Sequence, residues 1–142
     1  MGGKQGPSGT LVVGLDRDLV TLDLKADRPE PALLAAGVAA PGTLINDGIA
    51  TPFGLVFGTK DPAFADPLGG LHLLRNGERE PVRLRGQVVC SNGKAVVSRN
   101  DHWLLYDIDS PSASGARGLV RGRFFDRQGR MVASTVQEGL IR

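Results

Sequence analysis

No stretch of this chain repeats its apolar residues at helical spacing, and that bounds the fold more tightly than any motif in it. The apolar residues fall instead in short or alternating runs cut by Gly, Pro and Asx turns. Gly (20) and Pro (9) together exceed a fifth of the 142 residues, which interrupts helices and supplies turns. With only five Phe, one Trp and one Tyr, the core of such a chain is aliphatic.

Read along its length, the chain is a series of hairpins. Leu11–Leu15, the turn Asp16-Arg17-Asp18 and Leu19–Leu24 form the first. Ala32–Ala40 is the one stretch rich enough in Ala for a helical turn, closely bracketed by Gly37 and Pro41. Leu55-Val56-Phe57 reads as a short buried strand. Leu71–Arg75, Asn76-Gly77 and Arg79–Leu84 form the clearest hairpin, because Asn-Gly supplies the two positive-φ residues of a type I′ turn. Val88–Cys90 and Ala95–Ser98 are further short strands. Trp103–Asp109, Ala116–Phe125 and Met131–Ile141 make a three-stranded meander, closed at Asp126-Arg127-Gln128-Gly129 with Gly129 at the left-handed position. In its middle strand Arg117, Arg121 and Arg123 alternate with Gly118, Val120, Gly122 and Phe124, a period that sets the arginines on the solvent face.

The charge balance excludes some partners. A net charge of +2 is too small for a nucleic-acid or membrane-surface binder. No apolar run approaches the ~20 residues that span a bilayer, and Met1–Thr10 lacks the apolar centre of a secretory signal. Cys90 stands alone, so an intramolecular disulfide is excluded. The expectation is a soluble, cytoplasmic protein with neither nucleic acid nor membrane as partner.

Two motifs upstream carry chemistry. Asn46-Asp47-Gly48 and Ser91-Asn92-Gly93 each set an Asn just before a tight Gly-containing turn at the edge of a strand, which would present its amide at a strand mouth. An amide oxygen is a hard ligand suited to Ca²⁺-like cations; Asx-Gly is also ordinary turn chemistry. Taken in order, Leu44-Ile45-Asn46-Asp47-Gly48, Phe57-Gly58-Thr59-Lys60-Asp61 and Cys90-Ser91-Asn92-Gly93-Lys94 resemble the gluconolactonase/regucalcin (senescence marker protein) family over about residues 9–111. The resemblance implies a six-bladed β-propeller that holds one divalent cation in its central channel and hydrolyses sugar lactones. It implies that Asn92 is a metal ligand and that Asn46 faces the substrate and the metal-bound water, with Asp47 a turn-former. The chain departs from the family in its acids. Gln5 precedes Gly6-Pro7 where the family has its first Glu ligand, and the Asp that serves as ligand and base lies beyond the point where the chain changes character. Two neutral amides hold Ca²⁺ or Zn²⁺ weakly, because charged oxygens set the affinity. At ~40–45 residues per blade, the upstream part supplies two or three blades of six.

Downstream, Trp103-Leu104-Leu105-Tyr106, Ser110–Gly118 and Val132–Gly139 resemble the C-terminal end of type II acyl-CoA thioesterases over about residues 102–142. That family fuses two hot-dog folds and orients its attacking water with an Asp, a Thr or Ser, and a Gln. Of these only the Gln is matched, by Gln137. An amide positions a water but takes no proton at neutral pH, so Gln137 alone is not a catalyst. The arginines between 117 and 130 read either as a clamp for coenzyme A phosphates or as a solvated strand face. Ser112 and Ser114 have no placed base to activate them. His72 reads as a half-exposed strand residue, His102 has no motif partner, and Cys90 reads as a small buried hydrophobe.

The sequence therefore predicts an all-β chain: a lead-in over 1–8, antiparallel propeller-like hairpins over 9–101, and a partial hot-dog meander over 102–142. The leading function is that of a metal-dependent sugar lactone hydrolase with an incomplete active site. The alternatives are an acyl-CoA thioesterase remnant and a non-catalytic chimeric or artificial chain. The implied partners are a sugar lactone or an acyl-CoA, and sheet edges left uncovered by partial folds predict self-association.

Overall fold

The computed structural model describes residues 4–5, 9–99, 102–115 and 117–140. They form twelve strands: β1 (Lys4–Gln5), β2 (Thr10–Leu15), β3 (Asp18–Asp23), β4 (Ala32–Ala35), β5 (Leu44–Thr51), β6 (Gly54–Lys60), β7 (Gly69–Arg75), β8 (Val82–Val88), β9 (Ser91–Arg99), β10 (His102–Ser114), β11 (Arg117–Phe125) and β12 (Met131–Leu140). Consecutive strands pair antiparallel into three four-stranded sheets, β1–β4, β5–β8 and β9–β12. Four strands meandering in sequence order is the construction of a propeller blade. The fold is all-β, with antiparallel hairpins of a partial propeller followed by the C-terminal meander. That meander gains a fourth strand, because β9 pairs with β10 from His102↔Arg99 to Asp109↔Ser91. No described residue is helical. Of the 1–8 lead-in, Lys4 and Gln5 pair with Val12 and Leu11, while Gly6-Pro7 lies outside the described residues.

The middle sheet is covered on both faces, and its sequence shows why. Alternate side chains of β6 point to opposite sides, and both sides are apolar. Leu55 and Phe57 pack with Leu19, Ala35, Val38 and Leu74 against the first sheet. Val56 packs with Leu71, Leu73, Leu105 and Phe125 against the third. Phe57, Val56, Leu71 and Leu105 are all at least 98 % buried, each worth about 1.5–3 kcal/mol of transfer free energy. The buried strand expected at Leu55–Phe57 is thus the centre of the molecule.

Several local expectations are corrected. Ala32–Ala35 is extended, because it pairs with β3 through Val20↔Leu33 and Thr21↔Ala32; Gly37 (φ +60°) then turns the chain and donates its N–H to Asp18 Oδ1 at 2.7 Å. The Asn76-Gly77 hairpin forms, but not on a type I′ turn. Only Gly77 has positive φ (+82°), and Glu78 N–H closes the turn onto the Arg75 carbonyl at 3.1 Å. Asn76 is tied instead to the β5–β6 turn, donating its backbone N–H to Phe53 O and its side-chain amide to Pro52 O. Asn46-Asp47-Gly48 is no turn at all: it lies within β5, where the register against β6 shifts between Ile45 and Asp47. Gly48 is there for contact, since a Cβ on it would sit 3.2 Å from the Val56 carbonyl. Arg123, expected on the solvent face with Arg117 and Arg121, is 4 % exposed. Arg117 and Arg121 are exposed as expected, but the far end of that side of β11 packs inward, where Leu105 and Phe125 meet the middle sheet. The Gly129 turn forms as expected, with φ +79° and Gly129 N–H on the Asp126 carbonyl.

Candidate functional site

The β5 bulge and the start of β9 face each other, so the two Asn motifs meet. Asn46 Nδ2 donates to the Ser91 carbonyl at 3.1 Å across 45 positions of sequence. Asp47 Oδ2 accepts the Gly93 N–H at 2.8 Å, and the same N–H lies 2.9 Å from Asn92 Oδ1. Gly93 (φ +62°) makes the tight approach possible, since it also abuts Ile108 of β10. Asn46 is half-buried and Asn92 is exposed beside it.

Beneath these amides lies a buried array of charge. Lys94 Nζ ion-pairs with Asp47 Oδ1 and stands 3.5 Å from Asp107 Oδ1, with its side chain 1 % exposed. Ser91 Oγ donates to Asp107 Oδ1 at 2.6 Å. Arg123 reaches both acids of β10: its Nη1 is 3.9 Å from Asp107 Oδ2 and its Nη2 is 3.4 Å from Asp109 Oδ2. Gly58 forms the floor, where a Cβ would lie 2.5 Å from Ser91 Oγ and 2.6 Å from Lys94 Nζ. Burial raises the Asp107 carboxyl above its ordinary value, while Lys94, the Ser91 hydroxyl and Arg123 pull it back down. Arg85 also feels this array. Its guanidinium is lowered by burial and by Arg123, and Asp107 and Asp109 act in the opposite sense. Asp107 Oδ2, Asp109 Oδ1, Arg123 Nη1 and Arg85 Nε have no hydrogen-bond partner.

Gln137 is not brought to this place. It lies on β12 opposite Val120, on the face of the sheet that carries Thr135 and Phe124 and opposite the one carrying Arg123 and Asp107. All ten β12 residues are exposed. His102 begins β10, and its side chain, like those of Ser112 and Ser114, lies outside the described residues. Cys90 is half-buried, and its thiol is raised mainly by burial.

A second feature went unread in the sequence. An open cleft of about 390 Å³ is lined by Val38, Thr59, Gly70, His72, Arg79 and Arg83, among others. His72 stacks on Phe57 with ring centroids 5.1 Å apart, and its Nε2 lies 3.5 Å from Thr59 Oγ1. Burial, and then Arg83, push the imidazole down to about 4. At the rim of the same sheet Asp61 accepts the backbone N–H groups of Ala63, Ala65 and Asp66, which hold its carboxyl below the ordinary value.

Chemically, the array offers amides to a polar ligand but no free acid. Asp47 and Asp107 are both committed to Lys94, and Asp109 to Arg123. Ca²⁺ needs six or more oxygen ligands with charge among them, and no group of three or more His, Cys, Asp or Glu among the described residues is placed to hold a metal ion. As they stand, these donors do not fit a divalent cation. The residues missed in the sequence, Lys94, Asp107, Asp109 and Arg123, did leave a signal. Asp107 and Asp109 alternate on β10 directly across from Arg123 and Arg121 on β11, the pattern of cross-strand ion pairs on one face.

Comparison with known proteins gives two overlapping matches. Residues 97–140 match the acyl-CoA thioesterase family model. Over 44 residues the chain is 52 % identical to acyl-coenzyme A thioesterase 8 of Mus musculus and 50 % identical to that of Homo sapiens, covering 31 % of this chain and 14 % of each relative. Acyl-CoA thioesterase 2 of Haemophilus influenzae is 50 % identical over 42 residues, covering 30 % of this chain and 15 % of that protein. The chain thus matches about a seventh of the length of these curated relatives. No solved structure matches it. The larger match, to the SMP-30/Gluconolactonase/LRE-like region, runs over residues 2–118 and takes in both Asn motifs, Lys94 and Asp107; this chain belongs to that family.

Proposed function

We propose that the chain is a sugar-lactone-binding unit of the gluconolactonase type, with Asn46 and Asn92 as the amides that hold the substrate and with a catalytic set that is incomplete. The observation that carries this reading is the 3.1 Å bond from Asn46 Nδ2 to Ser91 O, which joins the two motifs. Amides that both donate and accept suit the hydroxyls and ring oxygen of a sugar lactone. Hydrolysis further needs a base to take a proton from water, and every carboxylate of the array is ion-paired. Binding without efficient turnover is the consequence. Titration calorimetry with gluconolactone, beside a pH-indicator assay of its hydrolysis, tests this. Binding weakened about tenfold or more in Asn46→Ala and in Asn92→Ala, the loss of one good polar anchor, with hydrolysis at the spontaneous rate, is the expected result. No binding, or fast turnover, refutes it.

A second reading, hydrolysis of acyl-CoA thioesters, is favoured by the family match over 97–140 and by the 52 % identity over 44 residues to a protein named as an acyl-CoA thioesterase. Gln137 would orient the water. The reading expects turnover of a short acyl-CoA, followed with a thiol reagent, that disappears in Gln137→Ala. The exposure of β12 and the distance in fold between Gln137 and the acids of β10 weigh for the lactone reading.

A further inference from the structure

We propose that the Lys94 ammonium is a built-in replacement for the divalent cation, so that the site is organised without metal. The inference takes Asn46 and Asn92 as one site, as above, but it stands on the charges beneath them. A cation seat needs converging anionic oxygens, room for an ion, and neutrality once filled. All three are present, and Lys94 satisfies them. Asp47 Oδ1 and Asp107 Oδ1 converge on Nζ from different sheets, and Ser91 Oγ is anchored to that same Asp107 oxygen. The room comes from Gly58, because any Cβ there would collide with Nζ and Ser91 Oγ. An ammonium is a compact point charge with three donors on a flexible stem, which suits a seat closed to solvent at 1 % side-chain exposure. Asp47, Asp107 and Asp109 face Lys94 and Arg123, and Arg85 adds its charge to the same array. Three acids against three cations leave no surplus negative charge to attract a divalent ion. An ion entering beside Lys94 would meet a buried like charge.

The test reads cations and not lactone, so its failure is distinct from failure of the lactone reading. The full chain is stripped with a chelator and titrated with Ca²⁺ and separately Zn²⁺, with calorimetry and melting temperature as readouts. The wild type should show neither heat of binding nor a shift in melting. Lys94→Ala vacates the seat and leaves Asp47 and Asp107 unpaired. It should bind Ca²⁺ or Zn²⁺ and gain roughly 5 °C in melting temperature at saturation. Adding Asp47→Asn should abolish the gain. Lys94→Met keeps the stem packed and serves if the alanine variant is too unstable; a variant that folds only with the cation present also supports the proposal. A wild-type cation response lost in Asn92→Ala overturns it. So do Lys94 variants that ignore both cations, whether folded or unfolded.

Discussion

Lowering the pH from 7 to 5 reads the floor of the 390 Å³ cleft through one side chain, His72. Its imidazole sits at about 4 in the folded chain against an ordinary 6.5, because burial beside Phe57 and Thr59 and the charge of Arg83 disfavour the imidazolium. Arg79 and Glu80 line the same cleft. A histidine held below its unfolded value contributes stability that is present above pH 6.5 and is lost as pH falls toward 4. At pH 5 the unfolded chain protonates this histidine almost fully and the folded chain only slightly. The wild type should therefore lose about 2 kcal/mol between pH 7 and pH 5, approaching ~3 kcal/mol below pH 4. Other acidic groups contribute to acid denaturation in both proteins, so the comparison is made with His72→Gln, whose amide carries no charge. Urea unfolding followed by circular dichroism at both pH values gives the two differences. The variant should lose about 2 kcal/mol less than the wild type over the interval. Equal losses in the two proteins, or an imidazole that titrates near 6.5 by NMR, would refute the assignment of the shift to burial.

The remaining predictions concern packing and edges. Gly58→Ala places a Cβ 2.5 Å from Ser91 Oγ and should destabilise the fold by about 1–3 kcal/mol in urea unfolding; an unchanged midpoint would mean that the Lys94 seat is loose. Ser91→Ala removes the 2.6 Å donor to buried Asp107 and should cost about 1–3 kcal/mol at neutral pH. That cost should shrink in acid, as a carboxyl already raised by burial takes up its proton; a pH-independent cost contradicts the bond. We also propose that the wild type self-associates through β12, an edge strand in the sheet order with Val136 65 % and Leu140 72 % exposed. Light scattering should show mass rising with concentration in the wild type and not in Val136→Lys, and a concentration-independent monomer would refute it.

What the sequence disclosed follows the range of the interactions involved. The Leu55–Phe57 strand and the Gly129 turn were legible because apolar content and positive φ are written locally. Ala32–Ala35 was not, because its extended form comes from pairing with β3, which outweighs the helix preference of Ala. Asn46-Asp47-Gly48 looked like a turn by composition, yet its Gly answers to a carbonyl on the neighbouring strand. Asn46 and Asn92 were singled out through a family resemblance. The bond joining them spans 45 positions, and no local rule predicts it. Arg123 failed for the same reason: alternation puts it on one face with the exposed Arg117 and Arg121, but only the packing of Leu105 and Phe125 with Val56 shows that its end of that face is covered.

The two family matches meet in the core and not at a linker. Asp47 and Lys94 lie only in the gluconolactonase-like match, Arg123 lies only in the thioesterase-like match, and Asp107 and Asp109 lie in the shared residues 97–118. The shared acids draw their cations from both sides: Asp107 stands 3.5 Å from Lys94 and 3.9 Å from Arg123, and Asp109 is paired with Arg123. A buried acid that loses one partner costs roughly 3–5 kcal/mol, a large part of the 5–15 kcal/mol that holds a typical domain together. The apolar contacts run the same way, since Leu105 and Phe125 complete a cluster begun by Val56, Leu71 and Leu73. Each matched region alone would lose part of this: the gluconolactonase-like residues would leave Asp109 without Arg123, and the thioesterase-like residues would leave Asp107 without Lys94. The sequence seam between the families therefore runs through a continuous core: the Lys94 seat lies within the gluconolactonase-like match, and Arg123 from the thioesterase-like match adds the second cation beside Asp107 and Asp109.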